Sequence, residues 1–292
     1  MDASMKDRVF VVTGATSGIG LAVAELLTDS GAHVIGIGRS ADRCRSAEGS
    51  LCKPGLPPQH VNYIVADLSI QSEVRRVATE VAAVLDGWDH PHLDALINNA
   101  ATVPFWQTLT PEGFDMQWAV NHLAPFLLTV ELLPRLRAAP MARVVTVSSG
   151  SHRQGKLDWN DVQLLGHYSP LRAYCLTKLA NVLFTLELNR RLGRDSSIRA
   201  FAADPGLVNT EIGLKSNSFI ARALWDIRRR GGVTPRQSAA GIAYLASEPG
   251  IQASGEVYWR NSRPVRPSTG ASNPQTARQL WELSSQMCGV GA

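Results

Sequence analysis

The chain reads as an α/β fold, and three observations lead there. Short β-branched apolar runs alternate with helical patterns along most of the 292 residues, as strands joined by crossover helices do. The first run, Val9-Phe-Val-Val-Thr13, opens directly into Gly14-Ala-Thr-Ser-Gly18-Ile-Gly20 and then a helical pattern. Hydroxyl and amide side chains stand at the ends of later runs, and open α/β sheets bind their ligands at the carboxyl ends of their strands.

The bulk composition narrows the function. Apolar residues make up 45% and charged residues 18% of the chain, an ordinary globule with ample core. The net charge of +4 is small for this length, so no nucleic-acid partner is expected. Cys44, Cys52, Cys175 and Cys288 form no CxxC pair and no disulfide-like spacing, so a reducing, cytoplasmic setting is expected. No apolar run reaches the roughly 18–20 residues of a membrane span, so no transmembrane segment is expected. Glycines interrupt the first apolar run, which speaks against a signal peptide. No internal repeat or low-complexity segment is evident.

Residues Val9–Thr13 read as a strand buried on both faces. Gly14 permits a tight turn, and Gly18 and Gly20, with Ser17 and Ile19 between and beside them, let a helix N-terminus approach a pyrophosphate. Ile19, Val23, Leu26 and Leu27 mark that helix, which ends at Gly31. His33–Gly38 reads as the second strand, followed by Arg39 and Ser40. The end of this strand meets the adenosine ribose in dinucleotide-binding sheets, and a guanidinium there suits a 2′-phosphate. NADP(H) is therefore expected over NAD(H), with NAD(H) the alternative. Residues 41–60 read as a helix remnant and loop. Val61–Val65 is the third strand, with Asp67 and Leu68 at its end, where an acid can meet the adenine amino group. A helical stretch runs from Ile70 to Leu85. Asp86–His92 is a loop whose histidines have no metal-ligand frame, so no metal site is expected. Leu93–Ile97 is the fourth strand, ending in Asn98-Asn99-Ala100-Ala101, whose amides can hold neighbouring backbone above a floor of small residues.

Pro111 to Leu136 is helical in pattern and bent or broken near Pro125. Asn121 lies within it, inward facing, where its amide can hold a buried water or bond a neighbouring helix. Arg143–Val147 is a fifth strand ending in Ser148 and Ser149, the latter placed to bond a substrate oxygen. In the helical run that follows, Tyr174 and Lys178 stand four residues apart and so share one face. A cation beside a phenol favours phenolate and lowers its pKa, which makes the pair a candidate acid/base unit. Arg199–Ala203 is a sixth strand, leading to Asp204-Pro205-Gly206 and on to Val208 and Thr210. Residues 207–232 read as a lid over an apolar pocket, with a surface helix or a membrane-interface helix carrying Arg228, Arg229 and Arg230 as alternatives. Thr234–Ala246 is a further helix, Gly255–Trp259 a last strand and Gln275–Met287 a last helix.

These residues together resemble the short-chain dehydrogenase/reductase family. The likeness rests on Thr13-Gly14-xxx-Gly18-Ile-Gly20, Asp67-Leu68, Asn98-Asn99-Ala100, Asn121, Ser149, Tyr174-xxx-Lys178 and Pro205-Gly206 with Thr210, in the family's order. The texture from Ala173 to Phe184, the run Gln279–Ser284 and the 25-residue gap from Ser149 to Tyr174 are similar to the retinol dehydrogenase-like branch. The resemblance implies one doubly wound Rossmann domain over 1–292, with a mostly parallel seven-strand sheet ordered 3-2-1-4-5-6-7 and helices on both faces. It implies an oxidoreductase that exchanges hydride between NADP(H) and an alcohol/carbonyl pair, a small apolar aldehyde, ketone or alcohol. Tyr174 is then the proton donor or acceptor and Lys178 lowers its pKa and holds the nicotinamide ribose. Ser149 positions the reacting oxygen, and Asn121 holds a water that links Lys178 to solvent. Thr210 and the backbone near Val208 receive the carboxamide. Family members commonly form homo-oligomers. The sequence departs from the family pattern at Ala101, where glycine is usual, and at Ser17, where some NADP enzymes carry a basic residue. No N-terminal membrane anchor of the kind found in animal retinol dehydrogenases is expected, since the first strand begins so early. The alternative function is a non-catalytic dinucleotide-binding sensor or scaffold on the same fold.

Overall fold

Val9–Thr13 forms β1, and every residue of it is buried, as its β-branched and aromatic side chains require of a strand covered on both faces. The computed structural model describes residues 5–52, 61–206 and 233–291. Within them the chain forms β2 (His33–Gly38), β3 (Val61–Val65), β4 (Ala95–Asn98), β5 (Ala142–Val147), β6 (Ile198–Asp204), β7 (Tyr258–Arg260) and β8 (Arg263–Pro264). They make one sheet in the order β3-β2-β1-β4-β5-β6-β7-β8. All neighbours pair in parallel except the last two.

The helices are α1 (Gly18–Asp29), α2 (Ala41–Leu51), α3 (Gln71–Gly87), α4 (Met116–Trp118), α5 (Ala124–Arg137), α6 (Pro170–Leu192), α7 (Pro235–Ser247) and α8 (Pro274–Cys288). Alternate strand residues face opposite cores. Val9, Val11, Ile35, Leu96 and Val144 meet α3, α5, α6 and α8 on one face. Phe10, Val12, Val34, Ile97 and Val145 meet α1 and α7 on the other. The chain runs outward from β1 to β3 and then returns to β4 on the opposite side of β1. That reversal opens a crevice above the carboxyl ends of β1 and β4.

Several expectations are corrected. The sheet has eight strands where seven were expected, because the chain turns back after β7. Asn261 (φ 50°) and Ser262 (φ 59°) both take the left-handed conformation, the geometry of a two-residue type I′ hairpin. It pairs Arg260 with Arg263. The seventh strand is Tyr258–Arg260, shorter and later than Gly255–Trp259. Residues 41–51 are a full helix, capped by Ser40, whose Oγ accepts from Arg43 N at 3.4 Å. α3 continues to Gly87, past the expected start of a loop. The helix expected from Pro111 begins at Met116, where Asp115 Oδ1 accepts from Gln117 N at 2.9 Å and Trp118 N at 3.1 Å. Its irregularity is a π-helical turn over Ala119–Leu123, just before Pro125. Pro125 has no N–H to offer the carbonyl four residues back, that of Asn121.

Candidate active site

Most of the residues expected to bind the cofactor follow the carboxyl ends of six adjacent strands, β3-β2-β1-β4-β5-β6, beside the helix that carries Tyr174 and Lys178. After β1 the chain turns through Gly14 (φ 67°) and Gly18 (φ 57°), conformations glycine adopts without strain. α1 then starts at Gly18 with no side-chain cap from Ser17 and no acidic residue in its first turn. The N–H groups of Gly18, Ile19 and Gly20 have no helical acceptors, and the positive end of the helix dipole is not neutralised by the chain itself. Gly20 is where the turn and the helix touch. A Cβ there would lie 2.8 Å from the carbonyl carbon of Gly14 and closer still to its oxygen and to Asn99 Nδ2. These features fit an anionic pyrophosphate laid against the helix start.

The end of β4 is tied to the end of β1. Thr13 Oγ1 accepts from Asn99 N and Ala100 N at 2.9 Å each, and Asn99 Nδ2 donates to Thr13 O at 2.8 Å. Asn98 turns the other way and donates to Thr129 Oγ1 at 3.0 Å. The floor beside Gly14 is thus the backbone of Ala100 with the Asn99 amide next to it. Arg39 is exposed directly after β2, and Ser40 is half-buried as a helix cap. After β3, Asp67 Oδ1 closes its own turn by accepting from Ser69 N at 3.0 Å, while Leu68 packs on the core.

α6 carries both members of the acid/base pair, since Pro170 pre-sets its first turn and Gly193 ends it. Lys178 is 2% exposed. Its Nζ donates to Val147 O at 2.9 Å and lies 5.5 Å from the centroid of the Tyr174 ring. The end of β5 is held from the same helix: Ser148 Oγ donates to Lys178 O at 2.8 Å, and Asn181 Nδ2 donates to Val147 O at 3.3 Å. Ser149 is extended and caps the short 3-10 turn Gly150–Gln154. Its Oγ accepts from Ser151 N at 3.2 Å, which leaves its O–H free to donate outward. That hydroxyl sits beside the Tyr174 phenol.

The titration behaviour differs from the sequence expectation. Burial pushes the Tyr174 pKa up to about 12, against the opposing pull of the Ser149 hydroxyl. Burial also brings Lys178 down to about 8. The expected lowering of the phenol by Lys178 is absent, because both groups sit in a low-dielectric wall where each charged form is penalised. Asn121 is fully buried in the π turn. Its side chain clamps Thr102, accepting from Thr102 N at 2.7 Å and donating to Thr102 O at 3.0 Å, and reaches Thr177 Oγ1 at 3.3 Å. The amide is therefore a bridge from the loop after β4 to α6.

Beyond β6, Gly206 (φ 76°) donates its N–H to Asp204 Oδ1 at 2.9 Å, and Pro205 O accepts from Ser238 Oγ at 2.7 Å. Val208, Thr210 and the proposed lid at 207–232 lie outside the described residues.

The structure adds residues that sequence reasoning missed. Thr13 is the knot between β1 and β4. Asp204, 6% exposed, accepts from Tyr258 Oη at 2.7 Å and raises the pKa of Tyr174 by its charge. His152, fully buried, lies tilted against the Tyr258 ring with centroids 4.6 Å apart. Its nearness to Ser149 in Ser149-Gly-Ser-His152 was the available signal; Tyr258 carried none. Among the described residues no cluster of His, Cys, Asp and Glu suits a metal ion. His90 packs on His33 at 4.7 Å and His92 faces Asp94 at 3.9 Å.

Comparison with known proteins agrees with this geometry. The sequence profile described as short chain dehydrogenase matches residues 8–220. The chain is 36% identical over 296 residues to Dehydrogenase/reductase SDR family member 13 of Bos taurus, covering 99% of this chain and 75% of that one. It is 33% identical over 297 residues to Retinol dehydrogenase 13 of Homo sapiens, covering 99% and 87%. A crystal structure of a metagenomic short-chain oxidoreductase in complex with NADP superposes with a TM-score of 0.65 at 26% identity, covering 91% of this chain and 99% of that one.

Proposed function

The chain belongs to the short-chain dehydrogenase family of oxidoreductases, and from that premise we propose that it is an NADP(H)-dependent enzyme exchanging hydride with an apolar alcohol/carbonyl pair. The observation that supports the reading is the meeting of Ser149, Tyr174 and Lys178 where α6 packs on the carboxyl end of β5. When bound, the dinucleotide supplies or accepts the hydride.

The protein's own residues do the rest. Gly14, Gly18 and Gly20 with the uncapped start of α1 hold the pyrophosphate, and Asn99 and Thr13 keep that turn in place. Arg39 pairs with the 2′-phosphate and Asp67 with the adenine amino group. Lys178, fixed on Val147 O, presents its ammonium to the nicotinamide ribose. Ser149 donates to the substrate oxygen and stabilises charge there. Tyr174, protonated at neutral pH, gives its proton to that oxygen in reduction and takes one back in oxidation. Asn121 keeps the loop after β4 against α6 and so braces Tyr174.

An apolar substrate is supported by the rim of the site. The loops after β4 and β5 are tied together, Tyr168 Oη donating to Pro104 O at 2.8 Å and Gln107 Nε2 to Leu165 O at 3.3 Å. On them stand Trp106, 83% exposed, Leu165 and, at the first turn of α6, Leu171. Leu171 is one helical turn before Tyr174, so this apolar rim borders the reacting group. No helix among the described residues is long and apolar enough to cross a membrane.

A cofactor-consumption screen over aldehydes, ketones and alcohols tests the reading. Tyr174→Phe should abolish turnover while NADPH still binds. Retained turnover would remove the acid/base assignment, and intact NADPH binding with no turnover by the parent protein would favour a dinucleotide sensor. Arg39→Ala should weaken NADPH more than NADH, by on the order of tenfold for one lost charge-assisted contact. An unchanged ratio of affinities would refute the 2′-phosphate assignment.

A further inference from the structure

His152 has a defined tautomer. The backbone N–H of Ser268 donates to His152 Nε2 at 3.1 Å. A main-chain N–H can only donate, so Nε2 is the bare nitrogen and Nδ1 carries the hydrogen. Nδ1 then donates to the carbonyl of Ser149 at 2.8 Å. The same carbonyl also accepts from His152 N at 3.0 Å. Burial lowers the ring's pKa, although its bond to Ser149 and the Asp204 charge oppose that and Arg153 assists it.

The ring is anchored on every side. It packs on Tyr258, whose hydroxyl is held by Asp204, and Asp204 in turn holds Gly206 N. Arg153, the next residue, donates to Arg266 O at 2.7 Å and so fixes the segment that supplies Ser268. Ser149 is otherwise held by the Ser151 N–H on its hydroxyl oxygen at 3.2 Å. It is the second of two residues between the end of β5 and a short 3-10 turn, extended, with its hydroxyl beside Tyr174.

We propose that His152 is a positioning residue for the reaction: through Nδ1–H it holds the Ser149 peptide, and thereby aims the Ser149 hydroxyl at the substrate oxygen beside Tyr174. The inference deepens the oxidoreductase reading and rests on it. Ser268 and the chain that follows β8 thus become part of the support of the active site, through one imidazole.

The two nitrogens can be separated by substitution. His152→Asn places an amide N–H near the position of Nδ1 and keeps the donor to Ser149. His152→Gln places its amide near Nε2, keeping an acceptor for Ser268 N–H and losing the donor to Ser149. The assays are kcat and KM for the best substrate of the screen, the NADPH dissociation constant, and the melting temperature of each variant. The expected result is kcat lowered on the order of 10- to 100-fold in His152→Gln, the cost of a small misplacement of a reacting group. His152→Asn should recover most of it, with NADPH affinity unchanged in both. Equal loss of kcat in the two variants, or losses that simply follow melting temperature, would overturn the proposal. So would nitrogen shifts from 15N-histidine NMR showing Nε2 protonated at neutral pH, a readout independent of turnover. A parent protein that turns over no substrate while keeping the Nδ1–H tautomer would sink the oxidoreductase reading and this inference with it. An active parent with equally impaired variants would sink the His152 role alone.

Discussion

Gly20→Ala is the smallest change that should break the dinucleotide cradle. The added methyl would sit 2.8 Å from the Gly14 carbonyl carbon and nearer to Gly14 O and Asn99 Nδ2. Neither neighbour is the free end of a flexible side chain. Gly14 is backbone in a left-handed turn, and Asn99 Nδ2 is already committed to Thr13 O at 2.8 Å. Relief therefore requires moving the turn or breaking that bond. Overpacking of this kind costs about 1–3 kcal/mol, and the lost hydrogen bond about 1 kcal/mol. The gain in helix propensity from Gly to Ala offsets up to about 1 kcal/mol, so the net destabilisation is about 2 kcal/mol. Urea unfolding should show it, with a drop in melting temperature of about 4–8 °C. Because the moved turn is the proposed pyrophosphate site, NADPH affinity should fall on the order of tenfold. Gly49→Ala is the control. Gly49 lies in α2, where an added Cβ meets nothing within 4 Å, and the change should stabilise by about 0.5–1 kcal/mol. The reasoning is refuted if Gly20→Ala unfolds within about 0.5 kcal/mol of the parent and binds NADPH as well.

Two further outcomes follow from buried charge. His122 is buried with Nε2 on Ser284 Oγ at 2.8 Å, and burial lowers its pKa to about 3 despite its contact with Asn181; the unfolded chain binds this proton below about 6.5 and the folded chain does not, so stability falls as pH drops from 6.5 towards 3. Between pH 7.5 and 5.5 the parent should lose about 1.4 kcal/mol more than His122→Gln in urea unfolding, and parallel losses would contradict the assignment. Glu187, with its side chain 1% exposed, accepts from Arg190 Nε at 2.7 Å and Arg191 Nε at 2.9 Å; burial works against its carboxylate, yet the two guanidiniums hold its pKa below the usual range. Glu187→Gln should cost about 1–3 kcal/mol, since an amide N–H would face a guanidinium, and because Arg191 lies 4.6 Å over Trp281 the Trp fluorescence should change with it; a neutral substitution with unaltered emission would refute the clamp.

What could be read from the sequence was whatever is local along the chain. The Tyr174–Lys178 pairing follows from helix spacing, and the glycine turn from the run of strand, Gly14, Gly18, Gly20 and helix. The ends of β1, β4 and β5 were visible because polar residues stop apolar runs there. What could not be read depends on partners far apart in sequence. Tyr258 meets Asp204 across 54 residues, and Ser268 meets His152 across 116. The partners of Asn121 are likewise distant in sequence: its amide bonds Thr102 on one side and Thr177 on the other. β8 is two residues long, too short for any periodicity, and is made by a turn in which Asn261 and Ser262 take positive φ. The bend near Pro125 was legible, but its form as a π turn depends on which carbonyl gives way to the missing N–H.

The direction of the Tyr174 shift also depends on burial, and it bears on the chemistry. Lys178 could lower the phenol's pKa only by being charged and close. Its Nζ is held on Val147 O with the ring centroid 5.5 Å away, and burial has already weakened its own hold on a proton. Asp204, held by Tyr258 and Gly206, adds negative charge that also disfavours the phenolate. The protein by itself therefore keeps the proton on the phenol, the form needed to protonate a nascent alkoxide. Burial in the wall of α6 and β5 thus disfavours the phenolate relative to a phenol in water. Oxidation of an alcohol would need the opposite state, and positive charge brought to the face of Tyr174 from outside the chain is what would supply it.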